Sequence, residues 1–378
     1  MDFSLDQEQL ALRDAVRRYC EGTYPAHERG NPEGPELAAT RWRGLADMGL
    51  LGLPLPAELG GSALGTTEIM LVSQELGRSL GGMGFVPAVV MAGQLLAEAA
   101  SPDISGAWLP RLAEGHARLS VALSMPEARG DFTRPAVRAE RRASGYVLSG
   151  HKAFVLEAER PDLVVLAART GAADGDPDGL TMFAVNTALA GVRLVPYRTL
   201  DGRECAQLHL DTVQVDTSAL IGNPGEACGL MRLTADRGIA AWAAEAVGAI
   251  EALIDLTAEH LKTRRQFGAP LARFQALQHR VADMLMRLEM ARSLACAAAV
   301  AVAEAPDSER RRFIDSAKGY IGKAGREVGN AAIQLHGGMG MTEECRVGHY
   351  VKRLMVLDQL FGNATDHIER LAARIAAG

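Results

Sequence analysis

The chain is 378 residues long, 48% hydrophobic and 23% charged, with a formal net charge of −6. That length is more than one ordinary core requires, and it predicts two or three domains of about 100 to 200 residues each. The acidic balance is mild and contains no long basic run, so nothing in the charge points to nucleic acid or an anionic membrane surface.

The five cysteines, Cys20, Cys205, Cys228, Cys296 and Cys345, form no CxxC pair and are odd in number. They read as reduced thiols, not as a disulfide framework or a zinc or other metal site. The opening MDFSLDQEQL carries no basic, apolar leader, and no apolar run reaches the roughly 18 residues of a membrane span, so a cytoplasmic chain is expected.

Residues 1 to 118 read as a helical domain. Leu5, Leu10, Leu12 and Val16 recur near helical spacing, Asp6 or Ser4 is placed to cap the first helix, and Glu8 falls in its first turn. Glycine and proline punctuate the segment around 23–35, 60–65 and 81–87.

The pattern changes at Leu119. Short runs rich in β-branched residues occur at 119–124, 136–140, 145–149, 163–168, 181–185, 192–196 and 206–215, separated by Gly, Asp and Pro turns. They predict a middle antiparallel, barrel-like β domain over 119–224. From 225 to 378 the helical period returns in long Ala-rich segments at 233–263, 274–304, 307–335 and 348–377, which predicts a four-helix bundle. Ala240, Ala241, Ala243 and Ala244 would allow close helix approach. The expected class is α+β, in the order helical domain, β domain, helical bundle.

Two motifs carry the chemistry. One is Arg264-Arg265-Gln266-Phe267-Gly268 with Gln275 and Gln278, and the other is Gln334-Leu335-His336-Gly337-Gly338-Met339-Gly340. With the domain order, they make the chain resemble the acyl-CoA dehydrogenase family along essentially its whole length. The resemblance implies FAD as cofactor, an acyl-CoA thioester as substrate and an electron-transfer flavoprotein as electron acceptor. It also implies a shared FAD site, hence a dimer or homotetramer, or a heterotetramer with a second dehydrogenase subunit.

Residue by residue, the resemblance places Arg264 on the FAD pyrophosphate of a neighbouring subunit, a role suited to a guanidinium. Gln266, Phe267, Leu271 and Phe274 line the adenosine half, while Gln334, Gly337 and Gly338 add the partner's contribution. On the flavin side, Leu123 and Ser124 face the pyrimidine edge. Gly130, beside Arg129, stands where the family has a pyrophosphate-binding serine. Phe154 and Leu156 stand where the family commonly has Trp and Thr; Phe154 can stack on the flavin, but Leu156 cannot donate a hydrogen bond. The bland readings are that Arg264 and Arg265 neutralise a helix end, Ser124 is an ordinary strand hydroxyl and Phe154 packs a core.

The family reaction needs a carboxylate to take the proton α to the thioester and donors to hold the enolate-like oxygen. In many members the base is a glutamate followed by a glycine and a threonine. Here the segment reads Leu360-Phe361-Gly362-Asn363-Ala364-Thr365, with Gly362 in the glutamate's place and Thr365 read among the cofactor residues. Gly362 can still offer its N–H to the thioester oxygen.

The sequence offers two sources for the base. Asp236, directly before Arg237, occupies an alternative family position, with Arg237 assigned to CoA. Its bland reading is a first-turn acid complementing a helix dipole. Otherwise the chain completes the FAD site of a heteromeric enzyme whose partner carries the base, as in small subunits of pimeloyl-CoA-type dehydrogenases, which its ending resembles. Asp358, Asp366 and His367 read as structural. A flavin oxidase or monooxygenase, or an acyl-thioester-binding scaffold, remains a different-class alternative on the same fold.

Overall fold

In the computed structural model the described residues are 5–25, 34–123, 135–157, 160–171, 176 and 178–376. The chain opens with helices α1 (Gln7–Thr23), α2 (Pro35–Asp47) and α3 (Thr66–Arg78). A π-helical segment, Val86–Gly93, then runs directly into α4 (Gln94–Ala99), followed by α5 (Pro102–Ala113). Asp6 caps α1 through a reciprocal box: its carboxylate accepts from Gln9 N at 2.8 Å, and the Gln9 amide oxygen accepts from Asp6 N at 3.2 Å.

The middle of the chain is an eight-stranded sheet of β1 (Leu119–Ala122), β2 (Val137–Arg142), β3 (Gly145–Val155), β4 (Leu163–Arg169), β5 (Leu180–Asn186), β6 (Val192–Arg198), β7 (Glu204–Asp216) and β8 (Leu220–Ile221). Strands pair in the order β6-β7-β3-β2-β4-β5-β8, with β1 beside β4. The expected antiparallel sheet is mixed. β1 lies parallel to β4, Leu119 opposite Leu163, and β2 meets β4 in parallel at Arg138 and Arg169. The β2–β3 hairpin lies between β1 and β4 in sequence and supplies the crossover that a parallel pair requires.

β4 is buried on both faces. Val164, Leu166 and Ala168 join an inner β core with Leu148, Phe183 and Leu208, while Leu163, Val165 and Ala167 pack into the core of the helical domains. A strand covered on both sides reads as a continuous apolar run, as 163–168 does.

The C-terminal bundle consists of α6 (Ala227–Thr263), α7 (Gln275–Glu304), α8 (Asp307–His336), α9 (Arg346–Gln359) and α10 (Ala364–Ala376). The last segment, read as one helix, is two. Phe361 at φ +58 and Gly362 at φ +99 leave the helical region, and Asn363 restarts it by accepting from the N–H groups of Thr365 and Asp366 at 2.9 and 3.1 Å.

α6 crosses α3 with backbone nearly on backbone. A methyl group on Gly77 would sit 2.0 Å from the Glu245 carbonyl oxygen, and one on Gly248 would sit 1.8 Å from that of Gln74. The small residues that make α6 weakly amphipathic are what permit this approach.

The three parts meet at a buried ionic cluster. Arg353 of α9, 2% exposed, donates to Glu245 of α6 at 2.7 and 3.0 Å, to Asp201 at 2.8 Å and to Glu157 at 2.7 Å. Arg203 donates to Glu157 at 2.7 Å, to Glu245 at 3.1 Å and to the Gly81 carbonyl at 3.1 Å. Glu157 also accepts from Gly84 N at 2.8 Å. Burial alone would raise the Glu157 pKa, but Arg203 and Arg353 pull it down to about 2.

Lys152 of β3 is the opposite case. It is fully buried, Nζ has no hydrogen-bond partner, and burial pushes its pKa down to about 8.

Two predictions test these buried charges. Arg353→Met leaves buried carboxylates short of a cation and should lower unfolding stability by about 3–5 kcal/mol, read by denaturant melts at pH 7. Lys152 binds its proton less well folded than unfolded, so its cost is full below pH 8 and fades as pH rises from about 8 toward 10.5. Lys152→Met should therefore raise stability by about 3 kcal/mol at pH 7 and flatten the alkaline rise in stability.

Candidate active site

α6 ends at Thr263 and Arg264 follows as its C-cap, its N–H donating to the His260 carbonyl at 2.8 Å. The chain then makes a tight hairpin of β9 (Arg265–Gln266) and β10 (Ala269–Pro270) around Phe267 and Gly268, both at positive φ, +52 and +78. Two consecutive left-handed residues suit a two-residue hairpin, but the first is normally Asn, Asp or Gly. Phe267 is 88% exposed and touches Phe274 edge-on, ring centres 6.1 Å apart. Backbone preference does not account for an exposed aromatic at this position. Arg264 and Gln266 are exposed on the same hairpin, and Leu271 and Phe274 are half-buried at its base.

The glycine turn follows the end of α8. Gly337 has φ +62, and neither Gly337 nor Gly338 would bring an added Cβ within 4 Å of another atom. Both therefore present open backbone, and Gln334 is exposed beside them.

His260 and His336 bring the two motifs together. Their rings stack at 4.3 Å with an interplanar angle of 25°, joining the end of α6 to the end of α8. Burial, the facing His336 and Arg264 together hold His260 below the usual histidine range. Sequence reasoning missed this pair; the signal was His336 within the glycine motif and His260 four residues before Arg264.

The flavin-side candidates lie in the β domain. Leu123 and Leu156 are buried in the core that joins the domains, and Leu156 N donates to the Val121 carbonyl at 3.2 Å. Phe154 is half-buried, 6.4 Å from the Tyr197 ring. Ser124 and Gly130 fall outside the described residues.

The catalytic candidates Asp236 and Arg237 are each engaged by other side chains. Asp236, on α6, is buried and its Oδ2 accepts from Arg310 Nε of α8 at 2.8 Å. Burial lifts its pKa above the usual carboxylate range against the pull of Arg310. Arg237 is clamped to Glu98 of α4 by two bonds of 2.9 and 2.6 Å.

Phe361 and Gly362 are buried against another side of α6, where the Phe361 ring stacks on Trp242 at 5.7 Å. Six residues separate Asp236 from Trp242, which sets them about 120° apart around the helix. The Asp236 carboxylate is thus engaged by Arg310 of α8, on a different face of α6 from Trp242. Trp242, a second residue that sequence reasoning missed, has a buried Nε1 without a partner, a deficit of about 1–3 kcal/mol.

The other acidic and basic candidates nearby are structural. Asp366 closes the α10 cap by accepting from Asn363 N at 2.9 Å, and Thr365 is exposed in that first turn. Asp358 accepts from Ala364 N and Arg326, and His367 is held by Asp315 and the Phe361 carbonyl.

Comparison with known proteins gives three consecutive matches: the acyl-CoA dehydrogenase N-terminal domain over residues 6–116, the middle domain over 120–213 and the C-terminal domain over 230–376. A Bacillus subtilis (strain 168) chain designated a probable acyl-CoA dehydrogenase is 28% identical over 98% of both chains. The L-prolyl-[peptidyl-carrier protein] dehydrogenase of Pseudomonas fluorescens is 32% identical, covering 78% of this chain and 79% of its own length. Among solved structures, the ChsE4-ChsE5 complex from Mycobacterium tuberculosis superimposes with a TM-score of 0.87 at 26% identity, over all of both chains. Chains of this fold have also been solved with FAD bound.

The strained hairpin supplies a test. Phe267→Asn suits the left-handed turn better and should stabilise the FAD-free chain by about 0.5–1 kcal/mol. The same change should lower FAD retention after gel filtration at least tenfold. Unchanged retention would leave Phe267 without a cofactor role.

Proposed function

The chain belongs to the acyl-CoA dehydrogenase family of flavoprotein oxidoreductases acting on CH–CH bonds, and on that premise we propose that it works in the FAD-dependent α,β-dehydrogenation of an acyl-CoA thioester. The product is a trans-2-enoyl-CoA, and the electrons pass to an electron-transfer flavoprotein. Within this reaction the chain completes the FAD site, and a second dehydrogenase-like subunit supplies the proton-abstracting carboxylate.

The observation that carries the division of labour is the engagement of Asp236 by Arg310, with Gly362 in the glutamate's place. The glutamate position holds no side chain, and the acid on α6 is turned to Arg310 on another face. Abstraction of an α proton needs the base within hydrogen-bond reach of the substrate, and a misplacement of about 1 Å already costs roughly 100-fold. Similarity to a complex of two differently designated chains supports a heteromeric assembly.

FAD, when bound, supplies the two-electron acceptor. The residues present fit it: Arg264 offers a guanidinium for the pyrophosphate, the open backbone of Gly337 and Gly338 permits close approach, and Phe267 and Phe274 offer an apolar wall for the adenosine half. Leu123 contributes its backbone on the flavin side, and Phe154, half-buried, supplies an aromatic ring to stack. The buried N–H of Gly362 is assigned to the thioester oxygen, a role that requires main chain alone.

Asp236 is the competing base, and its raised pKa favours proton acceptance. The test is to purify the chain alone and with the dehydrogenase-like product of a neighbouring gene, then follow flavin bleaching anaerobically with a panel of acyl-CoAs. Bleaching is expected only in the mixed preparation and should survive Asp236→Asn within about threefold. If the chain alone bleaches and Asp236→Asn abolishes this, Asp236 is the base and the enzyme is self-sufficient.

A further inference from the structure

On its α6 side the Phe361–Gly362 turn faces a filled space. Trp242 is 3% exposed and stacks on Phe361 at an interplanar angle of 28°. One turn earlier, on the same face of α6, Gly238 lies against Met91 of the π-helical segment; a Cβ there would be 2.7 Å from the Met91 sulfur. Met91 itself is fully buried. Met91 over Gly238 and Phe361 over Trp242 therefore cover successive turns of the same face of α6. The indole N–H has no acceptor, so shape alone holds the ring in place. On another flank of α6, the void lined by Ile69, Val90, Gln94 and Ala240 is about 10 Å³, room for one water and no acyl chain.

We infer that Trp242 is a plug: with Phe361 and Met91 it occupies the volume an acyl chain would need beside Gly362, and it closes this chain's own thioester site to medium-length and longer acyl groups. The substrate is then taken only by the partner subunit's site. This rests on the reading of Gly362 as the position facing the thioester, and it adds which subunit holds the acyl chain. The contact is specific to a large side chain at position 242, since the neighbouring Ala240, Ala241, Ala243 and Ala244 fill almost nothing.

The test separates binding from turnover by using trans-2-octenoyl-CoA, which has no α,β single bond left to oxidise. In titration calorimetry the wild-type chain alone should give no saturable binding, and the mixed complex should bind one ligand per pair of unlike subunits. Trp242→Ala should raise the chain's affinity at least tenfold and bring the complex to two ligands per pair. Trp242→Phe, which keeps an aromatic fill, should behave as wild type. Trp242→Leu and Phe361→Ala remove parts of the same stack and serve if Trp242→Ala does not fold.

Equal affinity of the wild type and the folded opened variants would overturn the plug, as would saturable binding by the wild-type chain alone. Bleaching of the chain's own flavin without a partner would overturn the proposed division of labour, whatever the calorimetry of the variants shows.

Discussion

Arg353 is the constraint on which the rest of the arrangement depends. A guanidinium removed from water is tolerable only when its donors are satisfied by well-placed acceptors, and here three carboxylates from distant parts of the chain meet that requirement. Glu157 and Asp201 come from the β domain and Glu245 from the middle of α6, while Arg203 and the Gly81 and Gly84 backbone bring in the N-terminal helices. No part can shift without stranding a buried charge. The cluster fixes how the strand of Phe154 and Leu156 stands against the bundle. Glu157, one residue beyond Leu156, is itself held at φ +41 by these bonds.

The broad architecture was legible because it rests on periodicity. Short runs of β-branched residues bounded by turns located the main strands, and the 3.6-residue period located the long helices. The failures have local causes. Parallel pairing of β1 with β4 depends on which strands become neighbours, which no strand states about itself. The break at Phe361 and Gly362 lies inside an apolar stretch whose hydrophobicity suits a helix; the signal was Gly362-Asn363, a left-handed glycine followed by a capping residue. The ionic cluster was invisible because Glu157, Asp201, Arg203, Glu245 and Arg353 are scattered along the chain and resemble ordinary surface charges.

The candidate site was legible to different degrees for a chemical reason. The positions proposed to face the cofactor announce themselves through backbone, since Gly337 and Gly338 leave open space and an Arg-rich segment follows a helix. A catalytic acid announces nothing: Asp236 reads as a first-turn acid, yet α6 begins at Ala227 and places it in the third turn, where it pairs with Arg310. Its direction around α6 becomes visible only when Arg310 is seen to face it. Trp242 was missed for the converse reason: an aromatic within an alanine-rich helix looks like packing, and its meaning comes from Phe361 across from it.

The crossing of α3 and α6 at Gly77 and Gly248 has a mechanical consequence. Most helix pairs meet through side chains, whose rotamers act as a compliant layer that lets one helix slide on the other. Here carbonyl oxygens fill the places where methyl groups would stand, leaving no compliant layer to deform. The two helices therefore move as one stiff beam joining the N-terminal domain to the bundle. Any bending between these parts has to be absorbed beyond that beam, at its free end near Arg264 and in the short joint between α9 and α10.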